Sequence, residues 1–505
     1  MSDPEILVVG LGPVGAVLAG LLGRQGINVL VIERDTDVYP LPRAAHLDHE
    51  VMRLLGLVGA ADAVLAASQP VKGYDFLTKD GDLLMGFRPP SDYAPTGFPW
   101  GNMFHQPTLE HAVRRYLETL PSVTVRLGVS LEAYEADKDG VSTHLTTPGG
   151  REHVRARYIV GCDGARSTVR RRAGIDIEDL GFDEPWLVVD VRLSDPDGRL
   201  DDVGKQHCDP ARPTTSMPMG PGRHRWEFML RPDEEPETMV TDHMVRRLIE
   251  PWADPASLTL ERRAVYRFHG TFAKEWRKER ALLIGDAAHQ MPPFMGQGLC
   301  SGVRDAANLA WKLGAVLRRH GGEALLDTVQ PEREPQVRFI TVTAISMGRV
   351  VCTMDEAAAA ARDAEMTAVP RQDRISPLPD LPGISCGVMD SVRAGSVLPA
   401  DPHLEALPVY APFLFLRDGD IAKGSGGAAV DRIVRSMPQT GVGALCNPGP
   451  GMVTIGDQDG FFSDLLGDNE ALLAKPDRIV FGAGSIQAVG AAWQTYLGAV
   501  GDAPV

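Results

Sequence analysis

The N-terminal hydrophobic pattern consists of two short apolar runs separated by a segment with helical periodicity. Residues 5–10 form an apolar run that ends on a glycine, which is typical of a strand buried in a parallel sheet. Residues 14–24 predict a helix, and the apolar run 28–33 predicts a second strand. A strand, a helix and a strand in this order predict a βαβ unit and therefore an α/β domain.

The pattern changes character near residue 181. Short alternating runs between about 181 and 270, such as Trp186-Leu-Val-Val-Asp-Val-Arg-Leu, predict an antiparallel sheet, which we interpret as an inserted domain. Apolar and helical segments then return at 280–365. The other predicted elements are helices at 107–120 and 485–497 and short strands at 123–127, 131–135, 140–146 and 158–162.

Three domains follow from these changes. A Rossmann-type nucleotide-binding domain is predicted to be discontinuous, at 1–180 plus 271–365, with an antiparallel-sheet substrate domain at 181–270 inserted into it. A linker rich in proline and aspartate at 366–383 precedes a smaller C-terminal α/β domain at 384–505.

Composition narrows the function classes. The net charge of −16, from 51 basic and 67 acidic side chains, argues against nucleic acid or an anionic membrane as a partner. The six cysteines form no CxxC pair and no metal-ligand spacing, so we expect free thiols, a cytoplasmic location and no metal. The apolar run at 6–23 is read as the start of the fold, because acidic residues precede it and regularly spaced glycines interrupt it.

The first motif is Gly10-Leu-Gly12-Pro13-Val-Gly15, a GxGxxG between the first strand and the first helix. Its glycines permit a tight turn, close approach of a pyrophosphate, and close packing of helix on strand. Glu33 ends the second strand, where a carboxylate accepts hydrogen bonds from a ribose, and Arg34 follows it. This motif predicts a bound dinucleotide.

Two further motifs follow. Asp286 ends the apolar strand 280–286, and a proline-rich turn leads to a helix that begins at Gly298 and Leu299. The free N–H groups and dipole of that helix start favour an anion, or a carbonyl that becomes negative. In the third motif, an Asp163-Gly turn precedes Ser167, which is expected to cap a basic helix.

These motifs, over about residues 5–350, resemble those of the FAD-dependent aromatic hydroxylases, the group A flavoprotein monooxygenases. The segment Phe104-His-Gln-Pro, the run from Arg304 to Leu313 and residues 476–482 look most like the 3-(3-hydroxyphenyl)propionate hydroxylase branch. The resemblance implies FAD as cofactor and NADH or NADPH as a transient reductant, with O₂ as co-substrate. It implies transfer of oxygen from a C4a-hydroperoxyflavin to a small phenolic ring.

The resemblance also implies roles for individual residues. Asp286 would hold the ribityl chain, and the helix start at Gly298 would face the flavin N1–C2=O edge. The resemblance implies a thioredoxin-like C-terminal domain without CxxC, with a structural role or a role in a homodimer. The expected cofactor-binding residues are Gly10, Gly12, Pro13, Gly15, Glu33, Arg34, Arg43, Gln106, Asp163, Asp286, Pro293, Gly296, Gly298, Leu299 and Cys300.

The chemistry of a phenol hydroxylase needs a dry site and a base that takes the phenol proton. His46 and Asp48 are the candidate bases, Pro293 is expected beside the ring, and His289 is interpreted as a packing residue. Candidates for the substrate pocket are Met217, Trp226, Phe228 and Phe294, although a core role is an equally good interpretation of each strand residue.

The sequence leaves two alternative functions open. A tailoring hydroxylase of a polyketide or an antibiotic would share every motif used above, and the volume of the pocket would discriminate. A flavin-binding protein without turnover is the second alternative, and the absence of substrate-stimulated NAD(P)H oxidation would favour it.

Overall fold

The structure of the protein is a computed structural model. The model describes residues 3–41, 43–195, 199–379, 381–388, 391, 394–400, 411–422, 425–437, 439–446, 452–454 and 461–498. Parts of the predicted domain 384–505 therefore lie outside the described residues.

The first third of the chain begins with the predicted strand, helix and strand and continues with further strands and helices. Its elements are β1 (Ile6–Val9), α1 (Pro13–Arg24), β2 (Val29–Glu33), β3 (His46–Asp48), α2 (His49–Gly56), α3 (Ala61–Ala66), β4 (Gln69–Pro70), β5 (Tyr74–Leu77), β6 (Leu83–Arg88), β7 (Gly101–Met103), α4 (Gln106–Leu117), β8 (Val123–Leu127), β9 (Ser130–Ala136), β10 (Val141–Thr147), β11 (Gly150–Ala156), β12 (Tyr158–Gly161) and α5 (Thr168–Arg172).

Long strands and then long helices form the rest. These are β13 (Ile177–Leu193), β14 (Gly204–His207), β15 (Thr214–Pro218), β16 (Arg223–Met229), α6 (Pro236–Met239), α7 (Asp242–Ile249), β17 (Leu258–Ala273), β18 (Arg277–Lys278), β19 (Ala281–Leu283), β20 (His289–Gln290), α8 (Gly298–Leu317), α9 (Ala324–Asp327), α10 (Val329–Val351), α11 (Glu356–Thr367), β21 (Ile375–Pro377), β22 (Phe413–Asp418), α12 (Ser425–Ser436), β23 (Gly441–Cys446), β24 (Val453–Thr454), α13 (Phe461–Leu466), β25 (Ala471–Ala474), β26 (Val480–Gly484) and α14 (Ile486–Tyr496).

The nucleotide-binding sheet has the strand order β18-β19-β12-β1-β2-β8. All of its pairs are parallel except β18 with β19. Every residue of β1 and of β12 is buried, because helices cover both faces of a parallel sheet of this kind. The predicted α/β class is confirmed.

The second large sheet has the order β20-β17-β13-β16-β15-β14-β5-β6-β21. Its centre is antiparallel and comes from the segment predicted at 181–270. The sheet also recruits β5 and β6 from residues 74–88 and β21 from 375–377, which the sequence interpretation did not include. Strands β5 and β6 form a local hairpin, but β5 joins the sheet through β14 and β6 pairs with β21, which are far away in the chain. The local sequence therefore does not indicate that they belong to this sheet.

A five-stranded mixed sheet, β24-β23-β22-β25-β26, lies near the C-terminus. Strand β22 is parallel to β23 and antiparallel to β25. The described part of the chain thus forms an α/β unit here, as predicted, and its thioredoxin-like character stays a prediction.

A buried cluster of charges joins this unit to the nucleotide-binding helices. Glu332 on α10 lies 2.9 Å from Lys312 on α8 and 2.9 Å from Lys475, and all three side chains are fully buried. The hydroxyl of Tyr496 donates to the same carboxylate at 2.7 Å. Burial lowers the pKa of Lys312 to about 8, although Glu332 opposes the shift.

Within the described residues, no single helix is both long and apolar enough to cross a membrane. The segment 324–351 and α11 meet the length and composition criteria only as a pair, bent by 112°.

Replacing Glu332 by Gln is expected to lower the free energy of unfolding by about 3–5 kcal/mol, because two buried ammonium groups would lose their shared counter-charge. Urea denaturation measures the change. The matched control is Glu334→Gln, which removes a partly exposed pair with Arg338 on the same helix and should cost about 1 kcal/mol or less. Equal losses in the two variants would contradict this assignment of Glu332.

Candidate functional site

A cavity of about 930 Å³ lies where the two large sheets and the C-terminal unit meet. Its walls come from the turn after β1, the segment after β2, the loop before α8, and strands β5, β6, β15, β16 and β17. Residues 395–398 and 477–479 complete it from the C-terminal side. Of the predicted cofactor residues, it is lined by Gly12, Pro13, Arg43, Gln106, Asp286, Pro293, Gly296, Gly298 and Leu299.

The GxGxxG turn has the geometry that a dinucleotide needs. Gly10 has φ +101°, and a Cβ there would lie 2.5 Å from the carbonyl oxygen of Cys162. A Cβ on Gly15 would lie 2.1 Å from the carbonyl oxygen of Gly10. At Gly12, by contrast, the nearest atom is an Arg43 nitrogen at 4.0 Å, so this glycine leaves room on its cavity side. The geometry at the three glycines fits the roles predicted from their spacing, and their contact with a pyrophosphate stays a prediction.

Several predicted cofactor residues support the site without lining the cavity. Glu33 accepts hydrogen bonds from the Leu11 N–H at 2.8 Å and the Asp35 N–H at 3.1 Å, which fixes the turn after β1. Arg34 points outward, with 77% of its side chain exposed. Cys300 is buried, with its thiol 3.7 Å from the carbonyl oxygen of His46.

Asp163 is also outside the cavity lining. Its carboxylate accepts from the Thr168 N–H at 2.6 Å, and Ser167 accepts from the Arg170 N–H at 3.0 Å, so both cap the start of α5. The Arg170 guanidinium donates to the carbonyl oxygen of Ala287 at 2.8 Å. The third motif thus holds the turn that carries Asp286.

Asp286 is exposed where it opens onto the cavity. It lies in the short turn Gly285–Ala287 after β19, and desolvation by the surrounding cavity walls raises the pKa of its carboxyl group. Helix α8 begins next to it in space, and its N-cap residue Gln297 makes no side-chain capping hydrogen bond. The helix start therefore presents its N–H groups and positive dipole end to the cavity.

A fully buried residue of α8, Asp305, holds the turn Gly285–Ala287 in place. This carboxylate accepts from the Gly285 N–H at 3.1 Å, from His289 Nε2–H at 2.6 Å and from Arg333 at 2.9 Å. His289 is only 2% exposed and packs on the Trp276 ring at 5.1 Å. His289 is thus a packing residue, as the sequence interpretation had it.

Gln106 positions the segment that carries Arg43. Its side-chain oxygen accepts from the N–H groups of Arg43 at 3.1 Å and Ala44 at 2.8 Å, and its amide nitrogen donates to Glu110 at 2.7 Å. Arg43 itself is exposed to the cavity and lies over the Tyr39 ring, 5.6 Å from its centroid.

The two candidate bases differ in their surroundings. His46 lines the cavity, and its Nδ1–H donates to the carbonyl oxygen of Gly296 at 3.3 Å, which leaves Nε2 as an acceptor. Burial lowers the pKa of His46, although Asp48 opposes the shift. A neutral imidazole with a free Nε2 is the form that accepts a proton.

The Asp48 carboxylate already has hydrogen-bond and ion-pair partners within the protein. It accepts from the Val51 N–H at 3.0 Å as the cap of α2, and it forms an ion pair with Arg304 at 2.6 Å. Burial raises the pKa of Asp48, but Arg304, His49, the Val51 N–H and His46 together outweigh this effect and hold the pKa well below the usual range. Arg304 also pairs with Glu50 at 2.6 Å. Asp48 therefore fits a structural anion better than a base.

The predicted substrate residues divide by strand face. Met217 and Phe294 line the cavity, together with Pro293. Trp226 and Phe228 do not, which corrects the sequence interpretation: they occupy the opposite face of β16 and pack in a core with Leu187 and Val189. The residues of β16 that line the cavity are their neighbours Arg225 and Glu227. Glu227 stands between Trp226 and Phe228 in the sequence. This charged residue between two aromatic residues is the signal that could have predicted which face of β16 lies in the core and which faces the cavity.

Comparisons with known proteins agree with this geometry. Residues 3–344 match the family model described as FAD binding domain. The chain belongs to this family. Within the family, it is similar to a probable NADH-specific resorcinol 4-hydroxylase of Rhodococcus jostii, with 41% identity over 76% of this chain and 72% of the relative.

Two further similarities agree with the assignment. A 3-(3-hydroxy-phenyl)propionate/3-hydroxycinnamic acid hydroxylase of Mycolicibacterium smegmatis is 37% identical over 72% of this chain and 64% of the relative. The flavin-dependent monooxygenase PieE, solved with FAD and substrate, shares the fold, with 21% identity, a TM-score of 0.79 and coverage of 98% of this chain and 99% of that chain. The protein is a flavoprotein aromatic monooxygenase, and its cofactor is FAD.

The cavity of this FAD-binding monooxygenase fits the cofactor. The open space at Gly12 suits the pyrophosphate, and the start of α8 suits the flavin edge that gains negative charge. Asp286 and Arg43 would contact the cofactor between these two points.

Gly12→Ala is expected to leave the fold intact and to weaken FAD binding at least tenfold, because the added methyl group comes no closer than 4.0 Å to a protein atom but fills the cofactor's space. Fluorescence titration of the apoprotein with FAD measures the affinity, and urea denaturation of the apoprotein measures the fold. Gly149→Ala, in an open surface turn, is the control and should change neither quantity. Unchanged FAD affinity in Gly12→Ala would refute the assignment of the pyrophosphate site.

Proposed function

We propose that the protein hydroxylates a small phenol, with NADH as reductant and O₂ as co-substrate. The observation that carries the proposal is the position of His46, which lines the cavity between the start of α8 and an apolar wall and is hydrogen-bonded through Nδ1 to Gly296. The relatives support it, since one is named for NADH and resorcinol and others for 3-hydroxyphenyl acids.

His46 is the group that we assign to the phenol proton. A phenolate ring is a far better nucleophile than a phenol, so a base that shares or removes this proton accelerates oxygen transfer. The hydrogen bond from Nδ1–H to Gly296 orients the ring and leaves the lone pair on Nε2 for the substrate hydroxyl.

The apolar wall keeps water away from the reacting atoms. Phe294 packs edge-to-face on Phe182 and Trp186, with ring centroids 6.0 Å and 5.8 Å apart, and all three side chains are buried. Bound FAD would accept a hydride from NADH and activate O₂. A dry wall beside it protects that chemistry from hydrolytic side reactions.

The proposal is tested on FAD-loaded protein by measuring NADH and NADPH oxidation with a panel of phenols, while hydroxylated product and H₂O₂ are quantified together. Oxidation stimulated by a small phenol, with product formed and little H₂O₂, is the expected result. If no small phenol stimulates oxidation but a polycyclic phenol does, the tailoring hydroxylase replaces this proposal. If none of them does, the proposed turnover is wrong.

His46→Ala is expected to keep FAD bound and to lower the rate of hydroxylation by about 10²-fold, as for loss of a general base. The wild-type kcat/KM should fall on the acid side at a pH below the usual His value of about 6.5, because burial lowers the pKa of His46 and protonation removes its acceptor. The variant should lack this acid limb.

The matched control is His111→Ala, which removes an exposed histidine of α4. It should retain both the rate and the acid limb. An unchanged acid limb in His46→Ala would assign the limb to another group and would remove His46 from the mechanism.

A further inference from the structure

A buried carboxylate faces the part of the cavity that is lined by strands β5, β15, β16 and β17, which we call the substrate half. Glu227 lies in the middle of β16, opposite Val188 of β13 and Thr215 of β15, and the residue is 5% exposed. Its side chain lines the cavity, on the face of the sheet that carries Met217. Burial of a charged carboxylate lowers the stability of the protein unless a partner compensates the charge.

The structure gives Glu227 little compensation. Within the described residues, Glu227 forms an ion pair with Arg225 at 3.6 Å, which is beyond hydrogen-bonding distance. Arg225 directs its own donors elsewhere, to Asp190 at 2.6 and 3.0 Å and to the carbonyl oxygen of Arg43 at 2.9 Å. Among the described residues, no group donates a hydrogen bond to the Glu227 carboxylate. Burial accordingly raises the pKa of Glu227, although Arg225 opposes the shift.

A tyrosine hydroxyl belongs to the same cavity, because Tyr74 also lines it and the charge of Glu227 acts on its hydroxyl group. The Tyr74 oxygen accepts from the Gln206 amide at 2.6 Å, and Thr215 fixes that amide by donating to its oxygen at 2.7 Å. The Tyr74 ring crosses Gly204, where a Cβ would lie 2.4 Å from the ring. Burial and then the charge of Glu227 raise the pKa of Tyr74, so the hydroxyl keeps its proton. In the part of the chain that the structure describes, no acceptor receives that proton.

The cations of this half of the cavity already have carboxylate partners. Arg225 and Arg262 share Asp190, at 2.6 Å and 3.4 Å, and Arg262 also covers the Tyr266 ring at 4.5 Å. Arg267 lies 3.3 Å from Asp183. A substrate carboxylate would have to displace one of these pairs and would meet the charge of Glu227 as well. A substrate hydroxyl, by contrast, can donate to Glu227 and accept from Tyr74.

Resting on the proposed function, we infer that Glu227 and Tyr74 form a subsite for a hydroxyl group of the substrate ring. This subsite selects an uncharged ring with two hydroxyl groups over a phenol that bears a carboxylate chain. One hydroxyl meets His46, and the second meets the pair Glu227 and Tyr74.

The first test is the affinity of the FAD-loaded wild-type protein for resorcinol, 3-methoxyphenol and 3-(3-hydroxyphenyl)propionate, followed by the change in flavin absorbance. Resorcinol should bind at least tenfold more tightly than each of the others, since a hydrogen bond to a charged group contributes about 1.5–3 kcal/mol. Tighter binding of the propionate than of resorcinol would overturn the inference without any variant.

The second test uses Glu227→Gln and Tyr74→Phe. Each should weaken resorcinol binding about tenfold, and Glu227→Gln should leave 3-methoxyphenol within about twofold, because 3-methoxyphenol has no second proton to donate to Glu227. Glu227→Gln should also tighten propionate binding, since the repelling charge is gone. The control is Glu261→Gln, a carboxylate paired with Arg192 and Arg223 that does not line the cavity. It should change none of these affinities.

The binding and turnover readouts separate the two proposals. If resorcinol binds with the expected preference but does not stimulate NADH oxidation, the subsite stands and the proposed function fails. If resorcinol is hydroxylated but both variants keep the wild-type ratio of affinities, the function stands and the subsite is refuted. A variant that no longer retains FAD is replaced by the other, since either one alone must change the ratio.

Discussion

The buried carboxylate of Asp305 is the constraint on which the cofactor site depends. It has no access to solvent, so its charge must be met by donors from the protein, and these come from the turn at Gly285, from His289 and from Arg333 on α10. Satisfying one ion therefore fixes the relative positions of two helices and a turn. Asp286 follows Gly285 in the chain, so its place in the cavity is set before any cofactor binds.

The cavity that results is lined by groups of both signs. The start of α8 and Arg43 provide positive potential. Glu227 provides a carboxylate, while the Asp190 carboxylate neutralises Arg225 and Arg262. An electron-rich cofactor edge suits the start of α8, and a hydrogen-bond-donating substrate suits Glu227. Asp48 is bound to Arg304 in the same region, and we therefore expect it to contribute structure and not proton transfer.

The parts of the fold that depend on local sequence were predictable. The GxGxxG turn, the βαβ unit and the cap at Ser167 involve residues close together in the chain, and the predicted elements match the observed ones closely. The features that the sequence did not predict depend on residues far apart in the chain. Strands β5 and β6 join the second sheet through pairing with distant residues, and Trp226 and Phe228 face the core and not the cavity. A strand pattern gives two faces but not which face meets a ligand, because the neighbouring sheet decides it.

The C-terminal unit also contributes to the cavity, and this has a consequence for how the family diversifies. Arg478 and Ile479 line the cavity, and Asp477 accepts hydrogen bonds from Asn308 and Trp311 of α8. One wall of the reaction chamber is thus encoded after the last flavin motif. Genetic recombination that exchanges only the 3′ part of the gene would replace this wall and keep the catalytic apparatus. Lineages could acquire new substrates by such exchange, without a single substitution in the cofactor-binding motifs.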